Sequence, residues 1–328
     1  MSSPPPPPST LLSFTDIAVN ATDGMFSGTY NGRKGLHPPD FETSVIARAA
    51  AAGVKRIMFT GTDLAESRAA LDMAIKINAG QSGVRCYTTV GLHPTSAARE
   101  LAAEEVRGEG DVVGALLRYE ANLLALAHEG VAAGIVVAIG ECGLDFDRLQ
   151  YSPISIQESA FPMHVRLARA TSLPLFLHDR NTSGKLLETL RREGGAPFGG
   201  VIHSFTGTEN DVSAILATGL YIGINGCAMK TVEGLAAAVR VPLNRLLLET
   251  DAPWCSIKAT SLAATHVLTT WKVAKKEKWQ EDATVKDRSE PCHVVNIAEA
   301  FAGVSGVAFS DIARATEENV NTLFFPKL

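Results

Sequence analysis

Ile135-Val136-Val137-Ala138-Ile139-Gly140-Glu141-Cys142-Gly143-Leu144-Asp145 is the stretch that decides the fold. A near-continuous apolar run without polar alternation reads as a strand buried on both faces, and it ends in a glycine and an acid. Three more stretches repeat that design: Phe176-Leu177-His178-Asp179-Arg180, Val201-Ile202-His203-Ser204-Phe205 and Leu247-Leu248-Glu249-Thr250-Asp251-Ala252-Pro253-Trp254. Each delivers a chemistry-bearing residue just past an apolar run: Glu141, His178, His203 and Asp251. A single histidine in such a place is more often a hydrogen-bonded core residue. Four in the same strand context point to one site.

Outward from these motifs, eight candidate strands alternate with helix-like segments. They are Phe14–Val19, Val54–Phe59, Arg85–Gly91, Ile135–Gly140, Leu173–Leu177, Gly200–His203, Leu220–Ile224 and Arg245–Glu249. Between them, Asp63–Ala79, Val112–Glu129, Ile156–Thr171 and Thr182–Glu193 carry helical periodicity. Eight such units over roughly 250 residues are the count and size of a (β/α)8 TIM barrel. A doubly wound open sheet would usually show a Gly-rich phosphate turn after its first strand, and this chain shows none. The domain reading is a Pro-rich tail at residues 1–13 and a single barrel over 14–328. In that fold the active site lies at the C-terminal ends of the strands, where all four motifs fall, as does Gly91-Leu92-His93-Pro94.

Imidazoles and carboxylates arriving from separate strands are the donor set of a divalent-metal hydrolase. One arrangement shares Glu141 between ions, places His178 and His203 on one metal and completes the site with Asp251. Mixed nitrogen and oxygen ligands suit Zn, Mn or Mg. A bound ion would lower the pKa of its water and polarise a phosphoryl or carbonyl oxygen. Glu249 is two residues before Asp251 and shares its face by strand alternation, as an orienting group or a general base. Asp145 is placed to orient a ligand or shuttle a proton, with a loop cap as the plain alternative, and Asp147 shares its loop. Arg180 suits an anionic substrate group, since guanidinium matches phosphate bidentately. Its alternative is a salt bridge to Asp179 or a neighbouring loop. His93 is placed to bind phosphate or protonate a leaving oxygen. His37, His128, His164, His266 and His293 carry no motif and read as structural or exposed.

The chain has 328 residues, 46% of them hydrophobic, and a net charge of −5, so any nucleic-acid contact must come from a local basic patch. Five cysteines without a CxxC or a disulfide framework suit a reducing compartment. No apolar run reaches the roughly 18 residues of a membrane span. The beginning of the chain lacks the apolar core and basic flank of a secretory signal. The location expected is intracellular, in nucleus or cytoplasm. Pro4 to Pro8 read as an extended polyproline-II tail that could dock an SH3-like partner.

Phe14-Thr15-Asp16-Ile17, Gly140-Glu141-Cys142-Gly143-Leu144-Asp145, Phe176-Leu177-His178, Ile202-His203-Ser204-Phe205-Thr206-Gly207 and Glu249-Thr250-Asp251-Ala252-Pro253 together resemble the TatD family of metal-dependent DNases, in order from about Phe14 to Phe325. Val137 to Gln150, Tyr221 to Cys227 and Asp287 to His293 are most similar to its eukaryotic branch. The resemblance implies a distorted TIM barrel of the amidohydrolase kind and 3′-to-5′ exonuclease or endonuclease action on DNA. It also implies one or two divalent ions on Glu141, His178, His203 and Asp251. Two departures stand out. Many members open with Asp-x-His-x-His, where this chain has Ala18 and Asn20. Losing two nitrogens favours a more hydrated ion such as Mg, or weaker occupancy of a second metal. Asp179 stands where the family commonly has Cys.

Ser256 to Arg288 is a long excursion after the last strand, with seven Lys or Arg against four acids and with Trp271 and Trp279 among them. Lysines interleaved with aromatics are the pattern of single-strand binding, and an amphipathic helix with buried tryptophans is the plain alternative. The function expected is cleavage of DNA phosphodiesters, at single strands or 3′ ends. The alternatives are a metal-dependent amidohydrolase or aminoacyl-tRNA deacylase, and a non-catalytic nucleic-acid-binding protein derived from a nuclease. Oligomeric state is not legible.

Overall fold

Eight parallel strands stand side by side in chain order: β1 (Phe14–Val19), β2 (Val54–Phe59), β3 (Arg85–Val90), β4 (Val136–Asp145), β5 (Leu175–Arg180), β6 (Gly200–His203), β7 (Tyr221–Ile224) and β8 (Leu246–Leu248). This computed structural model describes residues 12–108 and 111–326, so the proline tract and any partner it docks lie outside the described residues. The seam between β8 and β1 closes just past the strand ends, where Asn20 N–H donates to the Ala252 carbonyl at 2.7 Å. There the buried carboxylate of Asp16 accepts from the Thr250 N–H at 2.9 Å and from its hydroxyl at 2.5 Å. The result is the expected TIM barrel.

Helices fill the returns: α1 (Ile46–Ala51), α2 (Leu64–Asn78), α3 (Ala97–Arg107), α4 (Val112–Ala132), α5 (Ile154–Thr171), α6 (Lys185–Arg192), α7 (Glu209–Leu216), α8 (Val232–Ala238), α9 (Val294–Ser305) and α10 (Phe309–Phe324). Two apolar layers follow from strands buried on both faces. Ile17, Met58, Val137, Phe176, Val201 and Leu247 fill the barrel, and Val320, Leu323 and Phe324 of α10 plug its lower end. Alternate residues such as Ile57, Leu175, Leu177 and Ile202 face the helices.

That period of two positions the site. On β5 Phe176 points inward and so does His178; on β6 Val201 and His203 do the same. β4 would fail this rule without a correction. Ile139 and Cys142 both face the outer layer, and the β4–β5 register jumps from Ile139↔Leu175 to Cys142↔Leu177. Three steps on β4 thus span two on β5, which is a bulge. It turns Glu141, Gly143 and Asp145 to the inner face. Gly140 makes it feasible, because at its φ of 148° a Cβ would lie 2.2 Å from the Phe176 carbonyl oxygen.

Three expectations need correction. Strands 4 and 5 run on to Asp145 and Arg180, so Asp145 ends a strand instead of sitting in a loop. The excursion after β8 is no amphipathic helix. It consists of 3-10 turns at Leu262–His266 and Lys276–Lys278 and a two-stranded parallel ribbon, β9 (Val273–Ala274) with β10 (Thr284–Val285). Its Arg288 is not a surface charge. The guanidinium is buried, donating to both carboxylate oxygens of Asp40 at 2.9 and 2.7 Å and to Glu290 at 2.8 Å.

Candidate metal centre

Three imidazoles meet one carboxylate oxygen. Glu141 Oε1 lies 2.8 Å from His203 Nε2, 2.9 Å from His178 Nδ1 and 3.2 Å from His93 Nε2. Donor atoms of His93, Glu141 and His178 all fall within 4.8 Å of one another. A carboxylate oxygen has lone pairs for about two good hydrogen bonds, so the pocket gathers more donors than hydrogen bonding uses.

The far nitrogens tell the three rings apart. His178 Nε2 lies 3.1 Å from Asp145 Oδ2, and His203 Nδ1 faces Glu249 Oε1 at 3.6 Å. A carboxylate behind an imidazole takes its N–H, which leaves the lone pair of the opposite nitrogen aimed forward. With its Nε2 proton held toward Asp145, His178 would turn the lone pair of Nδ1 toward an ion beside Glu141, and His203 Nε2 would do the same on giving up the proton it shares with Glu141. That donor set fits a divalent cation. His93 is different. Its Nδ1 accepts from the Thr95 N–H at 3.1 Å, so a neutral ring carries its proton on Nε2, on the side facing Glu141.

Each ring is placed by its element. His178 and His203 are paired across the β5–β6 ladder. Phe176 floors the site, with its ring stacked 4.7 Å from His203. The His93 turn is held by the His93 N–H on the Thr62 carbonyl at 2.9 Å and by the Leu92 N–H on His164 Nε2 at 3.0 Å.

Asp251 stands apart from the trio. Its Oδ1 accepts from Asn20 Nδ2 at 3.1 Å and its Oδ2 from the Cys255 thiol at 3.2 Å. Thr60 donates to Asn20 Oδ1 at 2.9 Å, which fixes the amide so that its NH2 faces Asp251. Asn20, just past β1, is thus a donor to the acid. Glu249 is fully buried, accepting from the Ser204 N–H at 2.6 Å and from Asn225 Nδ2 at 3.0 Å. It lies behind His203, away from the cleft.

Burial resists every charge here, and the partners decide the outcome. For Glu141, burial is outweighed by His203 and His93, which hold the carboxyl well below its usual range. Burial is likewise outweighed at His203, where Glu141 and Glu249 hold the imidazole well above its ordinary value. Burial prevails at His93, lowering it, and at Asp251, raising it to about 6.

The cleft over these groups encloses about 700 Å³. Among its lining residues Arg148, Arg180 and Lys230 face Glu141, Asp179 and Asp251, three cations against three acids. A divalent ion would turn that balance positive, although the whole chain is at −5. Arg180 pairs with Asp147 at 2.9 Å, not with Asp179, whose carboxylate accepts from the Thr182 hydroxyl at 2.6 Å. Trp271 and Trp279 are half-buried, with their indole N–H groups donating to Asn296 at 2.7 Å and Asp40 at 2.9 Å. Sequence reasoning missed the Asp16 clasp, the Asn20 and Cys255 contacts to Asp251, and the exposure of Trp254 at the cleft. Only Trp254 carried a signal, as the aromatic ending the Asp251 motif.

The sequence model of TatD-related DNases matches residues 33–325. The protein of Schizosaccharomyces pombe named Deoxyribonuclease Tat-D is 38% identical over 312 residues, covering 94% of both chains. The 3'-5' ssDNA/RNA exonuclease TatD of Enterobacter lignolyticus is 33% identical, covering 94% of this chain and 98% of its own. A TatD family hydrolase from Entamoeba histolytica superposes with a TM-score of 0.85 at 30% identity, over 96% of this chain and 99% of that one. Barrel, donor set and relatives agree: this chain belongs to the TatD-related DNase family.

Proposed function

We propose that this chain is a divalent-metal-dependent hydrolase of DNA phosphodiesters, acting as a 3′-to-5′ exonuclease on single strands. The observation that carries the reading is the convergence of His178 Nδ1 and His203 Nε2 on Glu141 Oε1, each ring backed by its own carboxylate. The polarity and the single-strand substrate are supported by the name of the Enterobacter relative, which also includes RNA.

Glu141, His178 and His203 would hold the principal ion, and Asp251 with Glu141 a second. Two imidazoles suit Mn or Zn at the first, and the oxygen-rich Asp251 side, where Asn20 replaces an imidazole, suits the more hydrated Mg. Such ions, when bound, supply Lewis acidity toward a phosphoryl oxygen and acidify water. The chain's residues do the remainder. Asp145 holds the Nε2 proton of His178, and the carboxylate of Glu249 stands 3.6 Å behind His203 Nδ1. His93 presents an Nε2–H to the cleft, where it donates a hydrogen bond to a phosphoryl oxygen or to the departing oxygen. Arg148, Arg180 and Lys230 draw the anionic strand in.

Hydrolysis of a 3′-labelled single-stranded oligonucleotide by wild type and Glu141→Ala, compared in Mg, Mn, Zn and EDTA, tests this. Label release that needs metal and falls at least about a hundredfold in the variant is expected. No release with any metal would overturn the reading and make aminoacyl-tRNA the next substrate to try.

A further inference from the structure

Trp254 is one of three tryptophans in the chain. The other two turn their indole N–H groups inward, to Asn296 and Asp40. Trp254 is 52% exposed and lines the same cleft as Glu141, His178 and His203. A lone aromatic on an open surface needs no explanation. Here the position is specific. Its backbone N–H donates to the Asp251 carbonyl at 2.9 Å, and the Pro253 carbonyl accepts from the Ser289 N–H at 2.9 Å, so the turn is anchored on both sides. The indole is thus carried on a fixed backbone turn three residues past Asp251. Lys230 and Arg148 are exposed on the lining of the same cleft.

Cations that follow a phosphate chain beside an exposed aromatic face make up a single-strand site, because every base has a π-face and stacking tolerates sequence. A base inside a duplex is covered above and below by its neighbours and has no free face to offer. We propose that Trp254 is the base-stacking platform of this cleft, and that it makes unpaired strands the substrate while Lys230 and Arg148 hold flanking phosphates. This rests on the nuclease reading above and adds a specificity residue to it. The platform is therefore on the βα loop after β8, not on the excursion that carries Trp271 and Trp279.

The test compares wild type, Trp254→Ala and Trp254→Phe on a single-stranded oligonucleotide, on the same strand annealed as a blunt duplex, and on bis(p-nitrophenyl) phosphate. Binding of the oligonucleotide is read separately, by quenching of tryptophan fluorescence in EDTA. Loss of one stacked base raises KM for the single strand about fivefold to a hundredfold in the alanine variant. That rise should exceed any change on the small diester at least about threefold, and Phe should restore most of it. The preference for single strand over duplex should shrink, and the quench should be lost in Trp254→Ala. An alanine variant that binds and cleaves the oligonucleotide as wild type does would sink the platform and leave the nuclease standing. Quenching by the oligonucleotide in a wild type that cleaves none would sink the nuclease reading and support the platform.

Discussion

Glu249 shows how a single buried side chain controls the site without touching a substrate. Its Oε1 takes the Ser204 N–H and the Asn225 amide, and it stands 3.6 Å behind His203 Nδ1. Glu249→Gln keeps the size and an acceptor oxygen for the Ser204 N–H and the Asn225 amide, but removes the negative charge behind His203. The imidazole then loses the charge that favours a proton on its Nδ1 side. Metal affinity or activity should fall about 10- to 100-fold, measured by titrating apo-protein with Mn or Zn in a calorimeter. Unchanged affinity and rate would remove Glu249 from the site. Asp145 plays the equivalent part for His178 from β4, and because both rings would serve one ion the two losses should couple and not simply add.

Strand β4 carries tightly constrained backbone. Beyond the bulge, Gly143 sits at φ of 140°, and a Cβ there would lie 2.0 Å from the His178 carbonyl oxygen. Gly143→Ala must therefore either strain its own backbone or push β5 away, moving the imidazole that β5 carries. The strained φ alone costs about 1–3 kcal/mol, so the urea midpoint should fall and activity with it. A variant with the wild-type midpoint would show that β5 yields at no cost. Seen in this way, the bulge and its glycines are the device that brings Glu141 and Asp145 onto the same face as His178.

At the scale of the whole molecule, acid should be the weak point. Burial pushes His164 down to about 4, and it pushes His293 down to about 4 as well. Both rings are neutral when folded and protonate near their ordinary value of about 6.5 when unfolded. At these two rings the unfolded chain binds more protons as pH falls from about 6.5 toward 4, so their contribution to stability drops over that window. Each ring contributes about 1.4 kcal/mol per pH unit within it. Urea unfolding of wild type and His164→Gln at pH 7 and pH 5 measures this. Gln keeps an acceptor for the Leu92 N–H, and the variant should lose less stability between the two pH values. Equal losses would mean that His164 titrates normally.

Eight apolar runs, four of them leading to Glu141, His178, His203 and Asp251, were enough, as sequence, to give the parallel barrel and the rim on which those residues stand. Hydrophobic period and strand count are local, additive properties, and a barrel follows from them directly. Legible too was the meeting of Glu141, His178 and His203, because each stands near the C-terminal end of an apolar run; Asp251, past β8, stands apart from them. Three matters needed the tertiary structure. His93 and His178 carry the same ring, and only the neighbours of their far nitrogens, Thr95 and Asp145, separate a proton donor from a lone-pair donor. Glu141 points inward only because of a bulge whose register depends on β5. Trp254, Trp271 and Trp279 are equivalent letters until packing against Asn296 and Asp40 ties two indoles inward and leaves the third at the cleft. Sequence fixes what each residue can do; which partner it meets across the barrel is a property of the closed three-dimensional arrangement, since these contacts join residues scores of positions apart.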